Sequence, residues 1–311
     1  MKCSALAAAA LVCCLVAVAG DVPKRPPITE ISGVRFYSTH LAEARAFYAQ
    51  VLRANSICLW CEEPSSPSGT CVGCEKPSTP PVIIPVGPTQ RVTLSAAPEP
   101  APSNFLYEVV FATDDIEAMK KYLKANNVQF DSSKSPTTCS VVDPEGHRIS
   151  FTELPKAIQA SGSDPSSHRL IHAGFVVHDR AAEDKFYKDI LGFHVYWHGG
   201  MKDGEDNWVD MQVPDGTDWI EYMLKVPENA THKQLGVMNH IALGVPDIHA
   251  AQQQLIKNGW KGTEEPKIGR DGKWQLNLYD PDETRVEMME FKPTKEPCCS
   301  PYTGPHPGPP Q

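Results

Sequence analysis

The sequence predicts an α+β protein built from four βαβββ modules, paired into two cup-shaped domains. Three observations predict it: a strand-then-helix pattern that recurs four times, pairwise likeness between the two halves, and a repeated Asp-Pro turn before a closing strand. VRFYSTHLAEARAFYAQVLRA, from Val34, parallels GFVVHDRAAEDKFYKDILGF, from Gly174. Both run strand, short turn, then a helix with an aromatic pair, Phe47-Tyr48 or Phe186-Tyr187. EVVFATDDIEAMKKYLKANNVQF, from Glu108, parallels HIALGVPDIHAAQQQLIKNGWKG, from His240. Each has a strand, an Asp-Ile turn and an amphipathic helix ending at Asn or Asn-Gly. DPEGHRISFTEL, from Asp143, matches DPDETRVEMMEF, from Asp280. One helix covers only one face of its sheet. Two modules therefore pair, with helices outside and a shared concave face inside.

Taken in order, residues 1–19 read as a secretory signal peptide. Lys2 precedes a short apolar core, and Ala17-Val18-Ala19 has the small-x-small form of a cleavage site. The mature protein is expected to be exported, secreted or periplasmic, with no stable membrane insertion after cleavage. Residues 28–155 form the first domain. Its insert CLWCEEPSSPSGTCVGC carries Cys58, Cys61, Cys71 and Cys74 as two CxxC pairs. That spacing suits a structural zinc knuckle, while an oxidising compartment favours disulfides. Cys139 reads as a lone buried thiol. A Ser/Gly/Asp-rich linker, 156–168, leads to the second domain, 169–293, whose short strands lie near HVYWHG, WVDMQVP, DWIEYML, WQLNLYD and TRVEMMEF. The Pro-rich tail, 294–311, holds Cys298 and Cys299 and is expected to be extended. A net charge of -9 over 311 residues argues against nucleic acid or an anionic membrane surface as partner.

The chemistry-bearing residues lie in the second half. In VMNHIALGV, His240 alternates with small residues while Ile241, Leu243 and Val245 face the other way. His172, in LIHAGFVV, occupies the same place one module earlier. Glu221, amid DWIEYML, shares a face with Trp219 and Met223 opposite Ile220, Tyr222 and Leu224, and Glu287, amid TRVEMMEF, shares one with Arg285 and Met289 opposite Val286 and Met288. A carboxylate in the middle of an apolar closing strand is costly unless paired or metal-bound. Two histidines open two modules and two glutamates close the same two, so His172, Glu221, His240 and Glu287 are expected to ligate one divalent metal ion. Ni, Co, Mn, Fe or Zn would suit that donor set.

The repeat and these four positions resemble the vicinal oxygen chelate superfamily, which includes glyoxalase I, extradiol ring-cleaving dioxygenases and bleomycin-binding proteins. The resemblance covers residues 28 to 293 and implies paired modules cupped around a metal. The His/Glu/His/Glu set is similar to the ligand pattern of bacterial glyoxalase I. It implies a small substrate with neighbouring oxygens, metal-assisted proton abstraction, and Glu287, then Glu221, as the base. An extradiol dioxygenase is the alternative and needs only His172, His240 and Glu287. A non-catalytic binding protein is a second alternative. The first half departs from the pattern, with Gly33, Glu108 and Ser150 where His172, His240 and Glu287 stand, and is expected to be inert. For substrate selectivity, Arg270 and Lys273 in GRDGKW are candidate anion receivers on an exposed hairpin, and His198 a candidate neighbouring acid or base. Trp197, Trp208 and Trp219 are expected to pack the sheet. A monomer or a homodimer fits four modules in one chain.

Overall fold

The computed structural model describes residues 23–53, 57–58, 81–133, 135–154 and 165–310. The leader 1–19, most of the linker, and Cys61, Cys71 and Cys74 lie outside the described residues. The first module runs β1 (Ile31–Ser38), α1 (Leu41–Leu52), β2 (Ile57–Cys58), β3 (Val82–Val86) and β4 (Gln90–Ala96). The second runs β5 (Leu106–Thr113), α2 (Ile116–Ala125), β6 (Thr138–Val142) and β7 (Arg148–Glu153). Here the expected first short strand is reduced to an isolated bridge between Asp131 and Ser140. The third runs β8 (Arg169–Val176), α3 (Arg180–Asp184), a π-helical continuation (Lys185–Ile190), β9 (His194–Gly199), β10 (Trp208–Gln212) and β11 (Trp219–Met223). A short helix α4 (His232–Met238) leads into the fourth: β12 (His240–Val245), α5 (Ile248–Lys257), β13 (Lys267–Ile268), β14 (Trp274–Tyr279) and β15 (Arg285–Glu290).

The local chemistry explains these boundaries. Asp115, Asp179 and Asp247 each accept a hydrogen bond from the backbone N–H three residues on, so the repeated Asp turns are helix N-caps. The π-helical turn carries Phe186 and Tyr187 inward, and both are buried.

The two halves form two sheets, ordered β2-β3-β4-β1-β5-β7-β6 and β13-β14-β15-β12-β8-β11-β10-β9. In each sheet the two opening strands pair antiparallel, β1 with β5 and β8 with β12. Each opening strand is flanked in parallel by its own module's closing strand. This pairing lays the middles of four strands side by side across the concave face. The bulky residues Ile241, Leu243 and Val286 turn to the helix side and join the main core.

The halves interlock. Gln90 donates to the carbonyls of Ile31 and Leu170, and its amide oxygen accepts from Leu170 N–H. Tyr48 donates to Asp280, and Tyr187 donates to Asp143. The tail has no helix or strand among its described residues, yet it does not stand free of the sheet. Thr303 N–H donates to Tyr196 O, Gln212 to Pro305 O and Arg169 to Gly308 O. Cys298 and Cys299 form a disulfide, and Cys139 is free and buried, as its strand position implied. No helix among the described residues is long and apolar enough to cross a membrane.

Candidate metal centre

His172 lies on β8, Glu221 on β11, His240 on β12 and Glu287 on β15. The strand register brings them together. His240 stands opposite Gly174, which also pairs with Glu221, while Ala242 pairs with both His172 and Glu287. The absence of a side chain at position 174 is required. A Cβ there would lie 2.2 Å from the His240 ring, so Gly174 makes room for the imidazole.

The ligand atoms converge. The two Nε2 atoms are 3.1 Å apart. A Glu221 oxygen lies 3.2 Å from His240 Nε2 and 3.9 Å from His172 Nε2. A Glu287 oxygen lies 3.7 Å from each imidazole. Donors about 2.1 Å from one cation are about 3.0 Å apart when adjacent and about 4.2 Å when opposite. His172, His240 and Glu287 place ligand atoms within 4.8 Å of one another, so these three fit a single divalent cation, and Glu221 approaches both imidazoles from the fourth strand. His240 Nδ1 donates to Met238 O at 2.9 Å. That bond leaves the Nε2 lone pair directed into the cup.

The electrostatics also call for positive charge. Burial pushes Glu221 and Glu287 up to about 7, against the lowering pull of Arg285. Burial holds both imidazoles well below their usual range. Asp210 pairs directly with Glu221 across β10 and β11. Its carboxyl is raised well above the usual range, first by burial and then by Glu221, and its Oδ1 has no hydrogen-bond partner among the described residues. Like charges opposite one another in a sheet repel. Arg285 Nη2 lies 2.6 Å from His240 Nε2 and 4.0 Å from Glu221. Asp210, Glu221, Asp271 and Glu287 thus crowd four raised carboxyls together, with Lys273 and Arg285 the main cationic groups that pull them down.

A cavity of about 290 Å³ opens over His172, Glu221 and Glu287. Trp197, Trp208 and Trp219 wall it, with Arg270, Arg285 and Asp210 among its polar groups.

Three comparisons bear on this cup. Residues 169–288 match the family model "Glyoxalase/Bleomycin resistance protein/Dioxygenase superfamily". A probable chloroplastic lactoylglutathione lyase of Arabidopsis thaliana is 23% identical over 162 residues, 49% of this chain and 46% of that protein. The lactoylglutathione lyase of Haemophilus influenzae is 26% identical over 129 residues, 41% of this chain and 96% of the relative. The chain thus spans under half the length of the plant relative it matches. Among solved structures, homoprotocatechuate 2,3-dioxygenase of Brevibacterium fuscum, in complex with 3,4-dihydroxyphenylacetate, superposes with a TM-score of 0.59 at 17% identity, over 86% of this chain and 82% of that one. The Arthrobacter globiformis enzyme gives 0.59 at 17% identity, over 87% and 82%. These likenesses show the fold of paired modules across both halves.

The C-terminal cup belongs to the glyoxalase/bleomycin resistance/dioxygenase superfamily.

The superfamily scaffold places the remaining candidates unevenly. Arg270 lines the cavity, with its guanidinium also engaged by Gly200 O and Asp203. Lys273 corrects an expectation. It is fully buried, not an exposed hairpin charge, and is not among the cavity-lining residues. Its ammonium sits 4.4 Å from the Trp219 ring and 5.2 Å from those of Tyr196 and Tyr302, where the π-faces replace water. His198 also departs from expectation. It turns to Asp206, with Nδ1 2.7 Å from that carboxylate, and does not line the cavity. The three tryptophans line the cavity as well as packing the sheet. Of the four insert cysteines, only the Cys58 backbone is described, paired with Val82. Sequence reading missed Asp210, although a lone acid amid WVDMQV is the same signal that marked Glu221. It also missed Asn277, which stands opposite Glu287 on β14.

Proposed function

We propose that the protein is an exported metal-dependent lyase or isomerase that moves a proton on a small substrate with two neighbouring oxygens. The observation that supports this reading is the position of Glu221, which approaches the imidazoles as closely as Glu287 does. Glu221 would join the group of His172, His240 and Glu287 to give two imidazoles and two carboxylates. A divalent cation held by His172, Glu221, His240 and Glu287 would supply Lewis acidity to the substrate oxygens. The tryptophan walls exclude water and hold the apolar part of the substrate. Arg270, at the cavity rim, receives an anionic group.

Glu287 is the better proton acceptor. Its oxygen is 3.7 Å from both imidazoles, whereas that of Glu221 lies 4.0 Å from the Arg285 guanidinium. The less tethered carboxylate is freer to turn to a substrate carbon. A base with an affinity for protons near neutrality transfers them efficiently in both directions.

The extradiol dioxygenase reading is the rival, favoured by the single-chain likeness to homoprotocatechuate 2,3-dioxygenases. A Glu221→Gln variant separates the two. Proton exchange into dicarbonyl or hydroxy-carbonyl substrates should fall at least a hundredfold under the lyase reading. Catechol-dependent oxygen uptake that survives in this variant after Fe(II) loading would establish the rival. Export is tested by sequencing the N-terminus of protein recovered outside the cytoplasm. A start at residue 20 or 21 supports it, and retention of Met1 contradicts it.

A further inference from the structure

The two Tyr–Asp contacts that join the halves are related by the internal repeat, so each serves as a control for the other. In one, Asp280 accepts from Tyr48 at 3.2 Å and from the backbone N–H groups of Asp282 and Thr284. In the other, Asp143 accepts from Tyr187 at 3.1 Å and from the N–H groups of Glu145 and His147. The second contact carries two more groups. Glu183 stands where the aligned helix of the first module has Ala44, and His147 where the aligned turn has Thr284.

Glu183 is buried, with one oxygen accepting from Glu145 N–H at 3.0 Å and the other, Oε2, without a hydrogen-bond partner among the described residues; burial and the neighbouring Asp143 push its carboxyl up to about 9. His147 Nδ1 lies 2.8 Å from Asp143. Ligand atoms of Asp143, His147 and Glu183 all lie within 4.8 Å of one another. No Lys or Arg side chain forms an ion pair with Asp143 or Glu183 among the described residues. The His147 side chain is 17% exposed, which leaves a path from solvent. Two carboxyls and one imidazole gathered at this spacing form a donor set for a small divalent cation, which would displace the proton that Glu183 holds. A buried pair of acids is otherwise costly.

We propose that Asp143, His147 and Glu183 form a second divalent-cation site, which ties the second module to the third and so joins the two cups. Asp143 and His147 come from the turn before β7 and Glu183 from α3, so a cation there cross-links residues from both sheets' modules. The site is independent of the cup chemistry.

The test uses the full chain and Mn²⁺, which carboxylate and imidazole hold and thiolates do not favour. A His240→Ala/Glu287→Gln protein lacks two cup ligands and leaves the junction untouched. Electron paramagnetic resonance should find one Mn²⁺ equivalent bound to it, and Mn²⁺ should raise its unfolding temperature. Adding Glu183→Ala, which reproduces the composition of the other contact, should abolish both effects without preventing folding. His147→Gln, in the same background, should weaken binding at least tenfold. No Mn²⁺ bound by the cup variant, or binding undiminished by Glu183→Ala, would overturn the proposal.

Discussion

The two cups share one architecture and differ in what their concave faces hold. Strand register puts Gly33, Thr93, Glu108 and Ser150 in the N-terminal sheet where the C-terminal sheet has His172, Glu221, His240 and Glu287. The one acid retained, Glu108, is held by Arg35 at 3.1 Å and Arg148 at 3.3 Å, and accepts from Ser150. Gly33 is packed against Arg91. One face therefore neutralises its carboxylate with arginines, and the other sets buried carboxyls beside two imidazoles. The difference teaches that the fold sets positions, while the side chains at those positions decide whether a cation could be held.

The largest expected effect comes from removing a cup ligand. His240→Ala should weaken cation binding by more than about a hundredfold, beyond the roughly 10–100-fold loss that follows removal of an outer partner. Glu108→Gln at the matching N-terminal position should leave metal content unchanged. Equilibrium dialysis with elemental analysis reads both, and an effect of the second substitution would break the comparison.

Gly174→Ala comes next. The added methyl meets the His240 ring, so affinity should fall at least tenfold, with a stability loss of about 1–3 kcal/mol from overpacking. Calorimetry and dialysis on the one variant measure both. Wild-type affinity would show that the ring position is not needed.

Acidification should act on one cup only. Burial raises the Glu221 and Glu287 carboxyls to about 7, and a cation must displace whatever protons they hold. Affinity is thus full above that range and falls as pH drops through it, approaching a hundredfold per pH unit when two protons are displaced. Titrations at pH 8 and pH 6 check this. Equal affinity at both would contradict it.

The smallest effect concerns Cys139, which occupies the register position of Leu276 in the other sheet. Burial pushes its thiol up to about 12, so at pH 8 it behaves as a small apolar side chain. Iodoacetamide should label it only on unfolding, and Cys139→Ala should leave metal binding unaltered.

The paired modules and the convergence of four side chains in the cup were legible in the sequence because both rest on periodicity. Alternation assigns a side chain to a face, and the repeat assigns it a partner module. Asp210 carried the same signal as Glu221 and was passed over because no repeat counterpart drew attention to it. Lys273 was misplaced for a different reason. A Gly-rich turn signals exposure, and the sequence gives no sign that Tyr302 of the tail closes over its ammonium. The docking of the tail depends on backbone hydrogen bonds to distant strands, which composition does not encode. Likewise, the role of Tyr48 and Tyr187 in joining the halves lies in contacts between modules, although the repeat itself made both residues conspicuous.

The most direct measurement is a crystal structure of the metal-loaded full-length protein, with diffraction recorded at the absorption edge of the bound element. The account predicts one strong anomalous peak in the C-terminal cup, about 2.0–2.3 Å from His172 Nε2, His240 Nε2 and an oxygen of each of Glu221 and Glu287. A loaded protein with no peak there, or with Glu221 turned away into solvent, would contradict it.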